Sequence, residues 1–138
     1  MRILMLCVFL ALTACGAPQP PLVVSELEVS RPMPGRHMSA GYLVLTNNTN
    51  DPLHISEVRS PQFGSVEIHE TTVTDGVSRM RELDGLDVPP QGSVTLERGG
   101  KHLMLMKAGD LEDTVLLELL SDGVPVLTIS YVYPGETD

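Results

Sequence analysis

Residues 66–83 read VEIHETTVTDGVSRMREL and contain the strongest local indication of the fold. At the centre of this stretch, Asp75 and Gly76 separate two runs that contain β-branched residues. An Asp-Gly pair between such runs is the strongest short-range hairpin signal, because both central residues of a type I′ turn need positive φ. The stretch therefore predicts two antiparallel strands joined by a two-residue turn.

Counting outward from this turn gives the register of the hairpin. If Thr74 pairs with Val77, then Thr71 lies opposite Met80. Residues two apart on a strand share a face, so His69 lies on the face of Thr71. Met80 is then diagonal to His69 on that same face, within reach of a long side chain. The hairpin thus brings an imidazole and a thioether together.

The rest of the chain repeats this pattern of short strands and turns. Further strands are predicted at Val23–Val29, Ala40–Thr46, Leu53–Val58, Ser93–Leu96, His102–Met106, Thr114–Leu120 and Pro125–Val132. Asn, Asp, Gly and Pro separate these runs, which is typical of a β-sandwich or barrel. The chain has 138 residues, no Trp, two Phe and three Tyr, so we expect one all-β domain with an aliphatic core.

Residues 102–106, HLMLM, alternate strictly between two kinds of side chain. On a strand, the two leucines would face the core, and His102, Met104 and Met106 would share the other face. A strand buried on both faces, with Met as filler, would show the same alternation. The histidine and the glycines just before it favour a strand end near the rim of the domain.

The histidines and methionines together indicate a soft metal ion. A thioether is a soft, neutral ligand that selects copper(I) over Mg²⁺, Ca²⁺ or Zn²⁺, and imidazole also binds copper. Two imidazoles and two thioethers would form a neutral set that suits a monovalent ion. Such a set has no thiolate for a blue-copper centre, and it has no metal-bound water with a general base for hydrolysis.

The first fifteen residues form a separate unit. Arg2 and the apolar run at residues 3–12 have the pattern of an export signal that is too short to span a bilayer. Residues 12–16, LTACG, resemble the lipobox of bacterial lipoproteins. We therefore expect a lipoprotein signal peptide at residues 1–14 and lipidation at Cys15. The alternative is a plain cleavable signal that happens to contain a cysteine.

This anchor would set the surroundings of the domain. Cys7 would be removed with the signal and Cys15 would be acylated, leaving no thiol for a disulfide or a cysteine-ligated metal. Gly16, where inner-membrane retention would favour Asp, resembles a sorting signal for the outer membrane. Residues 15–22 are expected to form a Pro-rich linker that holds the domain, residues 23–133, in the periplasm.

The charge and the motifs exclude several classes of function. A formal net charge of −9 argues against a partner with a phosphate backbone and gives no polybasic patch for anionic lipid. The sequence shows no Ser/His/Asp arrangement, no phosphate-binding glycine loop and no organic-cofactor motif. We therefore expect a protein that is not an enzyme.

The spacing of four residues resembles the metal-binding signature of the PCuAC family of periplasmic copper(I) chaperones. In that signature His69, ten residues, Met80, twenty-one residues, His102, one residue and Met104 follow one another. The resemblance covers roughly Val23 to Val132. Within it, residues 42–47, 66–70 and 99–106 also resemble segments of that family.

This resemblance implies a cupredoxin-like Greek-key β-sandwich that binds one Cu(I) through His69, Met80, His102 and Met104. It also implies delivery of copper to cytochrome c oxidase, directly or with Sco-type assembly proteins. We expect the protein to be a monomer. Many members carry a His/Met-rich C-terminal extension. Here residues 134–138 form only a short tail, so a second copper reservoir is not expected.

Other residues are candidates with more than one interpretation. Met33, His37 and Met38 cluster in a Pro/Gly-rich loop, which is either an additional weak metal site or a solvated loop. Met106 is either a spare ligand or packing. His54 is expected at the surface. Glu67, Glu70 and Arg81 are expected to be charged groups at the rim of the site or groups that support its ligands, and no ligand role is assigned to them.

Three functions stay open on the sequence. A copper chaperone would pass its ion to a copper-accepting protein. A copper- or silver-sequestering envelope lipoprotein would use the same site for metal tolerance and would need no partner. A non-metal β-sandwich module for envelope assembly would need neither the histidines nor the methionines.

Overall fold

The computed structural model describes residues 19–135, which fold as strands and connecting turns. The strands are β1 Leu22–Val29, β2 Met38–Asn47, β3 Leu53–Ile55, β4 Glu57–Arg59, β5 Phe63–Thr74, β6 Val77–Leu83, β7 Leu86–Val88, β8 Gly92–Leu96, β9 Lys101–Ala108, β10 Thr114–Ser121 and β11 Val124–Val132. This architecture confirms the all-β class predicted from the sequence.

One large sheet contains nine of the eleven strands in this described part of the chain. Its order is β1-β2-β9-β5-β4-β10-β11, with β6 added beside β5 and β8 beside β2. The small second sheet consists of β3 and β7. The first strand of the large sheet approaches the last, so the sheet is nearly closed around its interior. Strand β9 lies between β2 and β5, in the middle of the sheet.

The interior is aliphatic, as the shortage of aromatic residues predicts. Its fully buried side chains come mainly from alternate positions of β2, β9 and β10, with Phe63 and Tyr133 as the aromatic contributions. Leu45 and Leu105 are 0% exposed. Because successive side chains on a strand point to opposite faces, this alternation leaves the other face of β2 and β9 free for other residues.

The Asp-Gly hairpin has the predicted turn and the predicted register. Asp75 and Gly76 have φ of 52° and 75°, the positive values that a type I′ turn requires. Thr74 pairs with Val77, and the ladder continues until His69 lies opposite Glu82. The hairpin therefore holds β6 firmly alongside β5.

One local prediction was wrong, and one short strand was not predicted. The single strand predicted at Leu53–Val58 is two strands in two sheets, β3 and β4, separated by Ser56. The backbone N–H of Ser56 donates to the carbonyl of Leu120 at 2.9 Å, which turns the chain from one ladder to the other. Strand β7 was not predicted, because three residues are too few to show an alternating pattern.

The predicted export signal lies outside the described residues, and so do both cysteines. Strand β1 begins at Leu22, one residue before the predicted start of the domain. Across residues 19–135, no helix has the length and apolar character needed to cross a membrane.

Candidate metal centre

Three neighbouring strands place the candidate residues in rows across one face of the sheet. His69 on β5 lies directly opposite His102 on β9 and, on its other side, opposite Glu82 on β6. In the next row, Glu67 lies opposite Met104. Directly opposite residues on adjacent strands have their side chains on the same face, so these groups form one cluster.

The two histidines are close neighbours. Their ring centroids are 6.0 Å apart and the ring planes are tilted by 51°. His102 is only 7% exposed, and the His69 side chain is 15% exposed. A metal ion at 2.0–2.1 Å from one nitrogen of each ring would hold two centroids at most roughly 6 Å apart. The observed spacing therefore fits two imidazoles that share one ion.

The backbone fixes the tautomer of His102. Its Nδ1 lies 3.0 Å from the carbonyl oxygen of Gly100, which can only accept, so Nδ1–H is the donor. In the neutral ring, Nε2 then keeps its lone pair. A hydrogen bond of this kind on one ring nitrogen is the usual support of a metal-binding histidine.

A carboxylate fixes the tautomer of His69 in the same way. Its Nε2 lies 2.9 Å from Oε2 of Glu67, so Nε2–H donates to the carboxylate. Its Nδ1 then carries the lone pair, and this atom is buried without a hydrogen-bond partner. Buried polar atoms are rarely left without a partner, because the loss of hydration is then not compensated. A buried, unpartnered lone pair beside a second imidazole fits the role of a metal ligand.

The two methionines of the signature differ in exposure. Met104 is half-buried on the same face as His102, two residues along β9. Met80 lies opposite Thr71, as the hairpin register predicts, and so occupies the position diagonal to His69. Its side chain is 53% exposed. The site is therefore closed on the β9 side and open on the β6 side.

A groove extends the cluster towards β2. Met33, Met38 and Met104 are among the residues that line it, and its volume is about 350 Å³. Met106 lies opposite Met38 in the register of β2 and β9. His37 is exposed on the loop before β2, and its carbonyl accepts a backbone hydrogen bond from Ala108.

The charged residues around the cluster occupy the rim. Arg81 donates to Glu70 at 2.6 Å beside the His69 row, which agrees with the rim role predicted for this pair. His54 is exposed, and its Nδ1 lies 2.7 Å from Oδ1 of Asp87 in the small β3–β7 sheet, outside the large sheet that carries the candidate residues, as predicted for a surface residue.

One group near the site was missed at the sequence level. Glu67, His69 and Glu82 each offer a ligand atom, and these atoms lie within 4.8 Å of one another. The register of the Asp-Gly hairpin already places Glu82 opposite His69, so counting two pairs further would have found it. A carboxylate is a hard ligand, so Glu82 does not belong to the soft set that the sequence predicts.

Comparisons with known proteins agree with this picture. The family described as "Putative lipoprotein LpqE-like" matches residues 22–115. A search of curated proteins gives no match.

Several solved structures share the fold. The copper-bound PCuAC domain from PmoF2 has a TM-score of 0.67 at 20% identity, with 82% of this chain and 92% of that domain covered. Apo-DR1885 from Deinococcus radiodurans has a TM-score of 0.60 at 26% identity, with 96% and 91% covered. Its CuI form has a TM-score of 0.61 at 25% identity, with 89% and 83% covered. The predicted cupredoxin-like β-sandwich and the resemblance to PCuAC domains are thereby confirmed.

Proposed function

We propose that this chain, which belongs to the LpqE-like family, is an exported chaperone that carries one copper(I) ion on the face shared by β5, β6 and β9. The observation that carries the proposal is the pair of neighbouring imidazoles, each with one nitrogen that keeps its lone pair. Copper-bound structures of the same fold support the choice of metal.

The proposed ligands are His69 through Nδ1, His102 through Nε2, and the thioethers of Met104 and Met80. This set carries no charge, so the bound ion would keep a single positive charge on a half-buried face. Soft thioethers favour copper(I) over the zinc and magnesium ions that compete for imidazole and carboxylate ligands. The ion is cargo here, and the proposed role includes no catalytic step.

Glu67 has a positioning role in this proposal. By accepting the Nε2 proton of His69, its carboxylate selects the tautomer in which Nδ1 is free to bind the ion. The carboxylate also lies beside Met104 in the strand register, so it supports the site from the same face.

The exposure of Met80 suggests how the ion leaves. A chaperone passes its ion by exchanging ligands one at a time with the acceptor, so at least one ligand must be accessible. Met80 is the most exposed of the four, on the edge strand β6. It would therefore be the first ligand that an acceptor replaces. The proposed acceptor is cytochrome c oxidase or a Sco-type assembly protein.

The methionines of the groove extend the soft surface beside Met104. Met33 and Met38 would give copper(I) a weak secondary contact on its way to or from the main site, with Met106 next to them. His37 adds an exposed imidazole to the same loop.

The family description supports an envelope lipoprotein. The proposed anchor is lipidated Cys15, with the outer membrane favoured because Gly16 follows it. Replacing Cys15 by Ser should release the protein from the membrane fraction. Retention of the Cys15→Ser variant in the membrane fraction would contradict the lipid anchor.

Titration with copper(I) under anaerobic reducing conditions, against a competing chelator, tests the proposed site. The purified protein should bind one ion tightly, and the double variant His102→Ala/Met104→Ala should lose this binding. His54→Ala is the matched control, since its exposed imidazole lies outside the cluster and should not affect affinity. Equal binding by the wild type and the double variant would rule the site out.

Transfer separates the chaperone from a sequestering lipoprotein. Copper(I)-loaded protein, mixed with a Sco-type acceptor, should lose its ion faster than it does to a chelator of equal affinity. Retention of the ion in the presence of the acceptor would favour sequestration for metal tolerance.

A further inference from the structure

A second set of ligands surrounds His69 on the side away from His102. Glu67 lies two residues before it on β5, and Glu82 lies directly opposite it on β6. One ligand atom from each of these three residues lies within 4.8 Å of the others. Two ligands of one zinc ion are at most about 4 Å apart, so small side-chain movements would bring all three into contact with one ion.

The chemistry of this set differs from that of the copper set. Two carboxylates and one imidazole carry two negative charges, which suits a divalent cation and does not favour a soft monovalent one. His69 and Glu67 are half-buried, whereas Glu82 is exposed and able to close over an ion. The cluster is centred on an imidazole, the commonest metal-binding side chain in proteins.

We infer that Glu67, His69 and Glu82 form a binding site for one divalent cation of the zinc class. In this site the ion replaces the proton that now lies between Nε2 of His69 and Oε2 of Glu67. Glu82 provides the third protein ligand from β6, and water completes the coordination.

Binding at this site excludes binding of copper(I) to the same histidine. A neutral imidazole has one N–H and one lone pair, so when a metal ion binds Nε2 the ring proton moves to Nδ1, which then has no lone pair to offer. The proposed copper(I) ligand is Nδ1, and this exclusion therefore rests on the function proposed above. His69 would act as a switch between a hard site towards β6 and a soft site towards β9.

Titration calorimetry of the purified protein with Zn²⁺ alone tests the divalent site. The wild type should bind one Zn²⁺, and Glu82→Gln should weaken this binding by about tenfold or more, because a direct ligand is lost. Glu57→Gln removes the same charge from β4, outside the cluster, and should leave Zn²⁺ affinity unchanged. Equal affinities for the wild type and Glu82→Gln, or equal losses in both variants, would overturn the site.

Titration with Ag⁺, a redox-stable mimic of copper(I), tests the exclusion. Glu82→Gln should keep its Ag⁺ affinity, whereas Met104→Leu should lose Ag⁺ affinity and keep its Zn²⁺ affinity. Saturation with Ag⁺ should abolish Zn²⁺ binding to the wild type. Binding of both ions at once would overturn the exclusion. Zn²⁺ binding that depends on Glu82, in a protein that binds neither Ag⁺ nor copper(I), would support the divalent site and contradict the proposed function.

Discussion

The two faces of strand β9 differ sharply although their residues alternate along a single run. Leu103 and Leu105 are buried among aliphatic side chains of the interior. His102 and Met104, on the other face, meet β5 residues that carry imidazole and carboxylate groups. The core face of β9 therefore stabilises the fold. The opposite face holds the candidate ligands at fixed spacings on the folded sheet.

The position of the candidate ligands on β9 separates them from the aliphatic core. A site on a central strand inherits the rigidity of the sheet, because β9 is hydrogen-bonded on both sides. Its ligands contribute little to the aliphatic core, so they can be replaced without unfolding the protein. Core substitutions and ligand substitutions should therefore have separable effects.

The largest expected effect comes from the core face. Leu105→Ala should lower the free energy of unfolding by about 2–5 kcal/mol, because it removes a fully buried side chain and leaves a cavity. Urea denaturation measures this loss. Met106→Leu, one residue further on, keeps the volume and should cost less than about 1.5 kcal/mol. Equal losses for the two variants would show that the faces do not differ.

On the ligand face of β9, the substitution His102→Ala should lower the affinity for copper(I). Loss of a direct ligand should weaken copper(I) binding by on the order of 100-fold or more, beyond the usual effect of a supporting residue. Chelator competition measures the affinity, and urea denaturation of the metal-free protein provides the control. If folded His102→Ala binds copper(I) as tightly as the wild type, His102 is not a ligand, even if the substitution lowers the stability of the protein.

A smaller effect is expected where a residue acts through another. Glu67→Ala should weaken copper(I) binding by about tenfold, because the His69 tautomer is no longer fixed. Glu67→Gln offers an amide oxygen to the same Nε2–H and should restore part of the affinity. NMR of the imidazole nitrogens would report the tautomer directly. An unchanged tautomer in Glu67→Ala would be evidence against this role.

The smallest effect is expected from a comparison of the two Asp-Gly hairpins, at residues 75–76 and 122–123. Gly76 and Gly123 both have positive φ, near 75° and 78°, and a Cβ at either would meet no atom within 4 Å. Alanine at either position should cost about 1–2 kcal/mol from backbone strain alone. Only Gly76→Ala should also weaken Ag⁺ binding, because its hairpin positions Met80. Equal Ag⁺ affinities in the two variants would exclude Met80 as a ligand whose position depends on the turn.

The sequence predicted those parts of the fold that depend on local signals. The Asp-Gly pair gave the register of β5 and β6, and the alternation in residues 102–106 gave the two faces of β9. Both signals act over a few residues and do not depend on the rest of the chain. The break at Ser56 depends on a hydrogen bond to Leu120, far along the chain, so no local pattern indicates it.

The burial of the site residues also could not be predicted from the sequence. Alternation shows which face His102 occupies, but its burial depends on the neighbouring strands β2 and β5. The hydrogen bond between His69 and Glu67 could not be predicted either. Residues two apart on a strand share a face, but their side chains need not form a hydrogen bond. The side-chain partners that fix the two tautomers are tertiary features.

X-ray absorption at the copper edge of the copper(I)-loaded protein would identify the ligand atoms around the ion. We expect a copper(I) ion surrounded by imidazole nitrogens and thioether sulfurs, with the sulfur contribution reduced in Met104→Leu. A spectrum with nitrogen and oxygen ligands alone, unchanged in Met104→Leu, would contradict the histidine and methionine site.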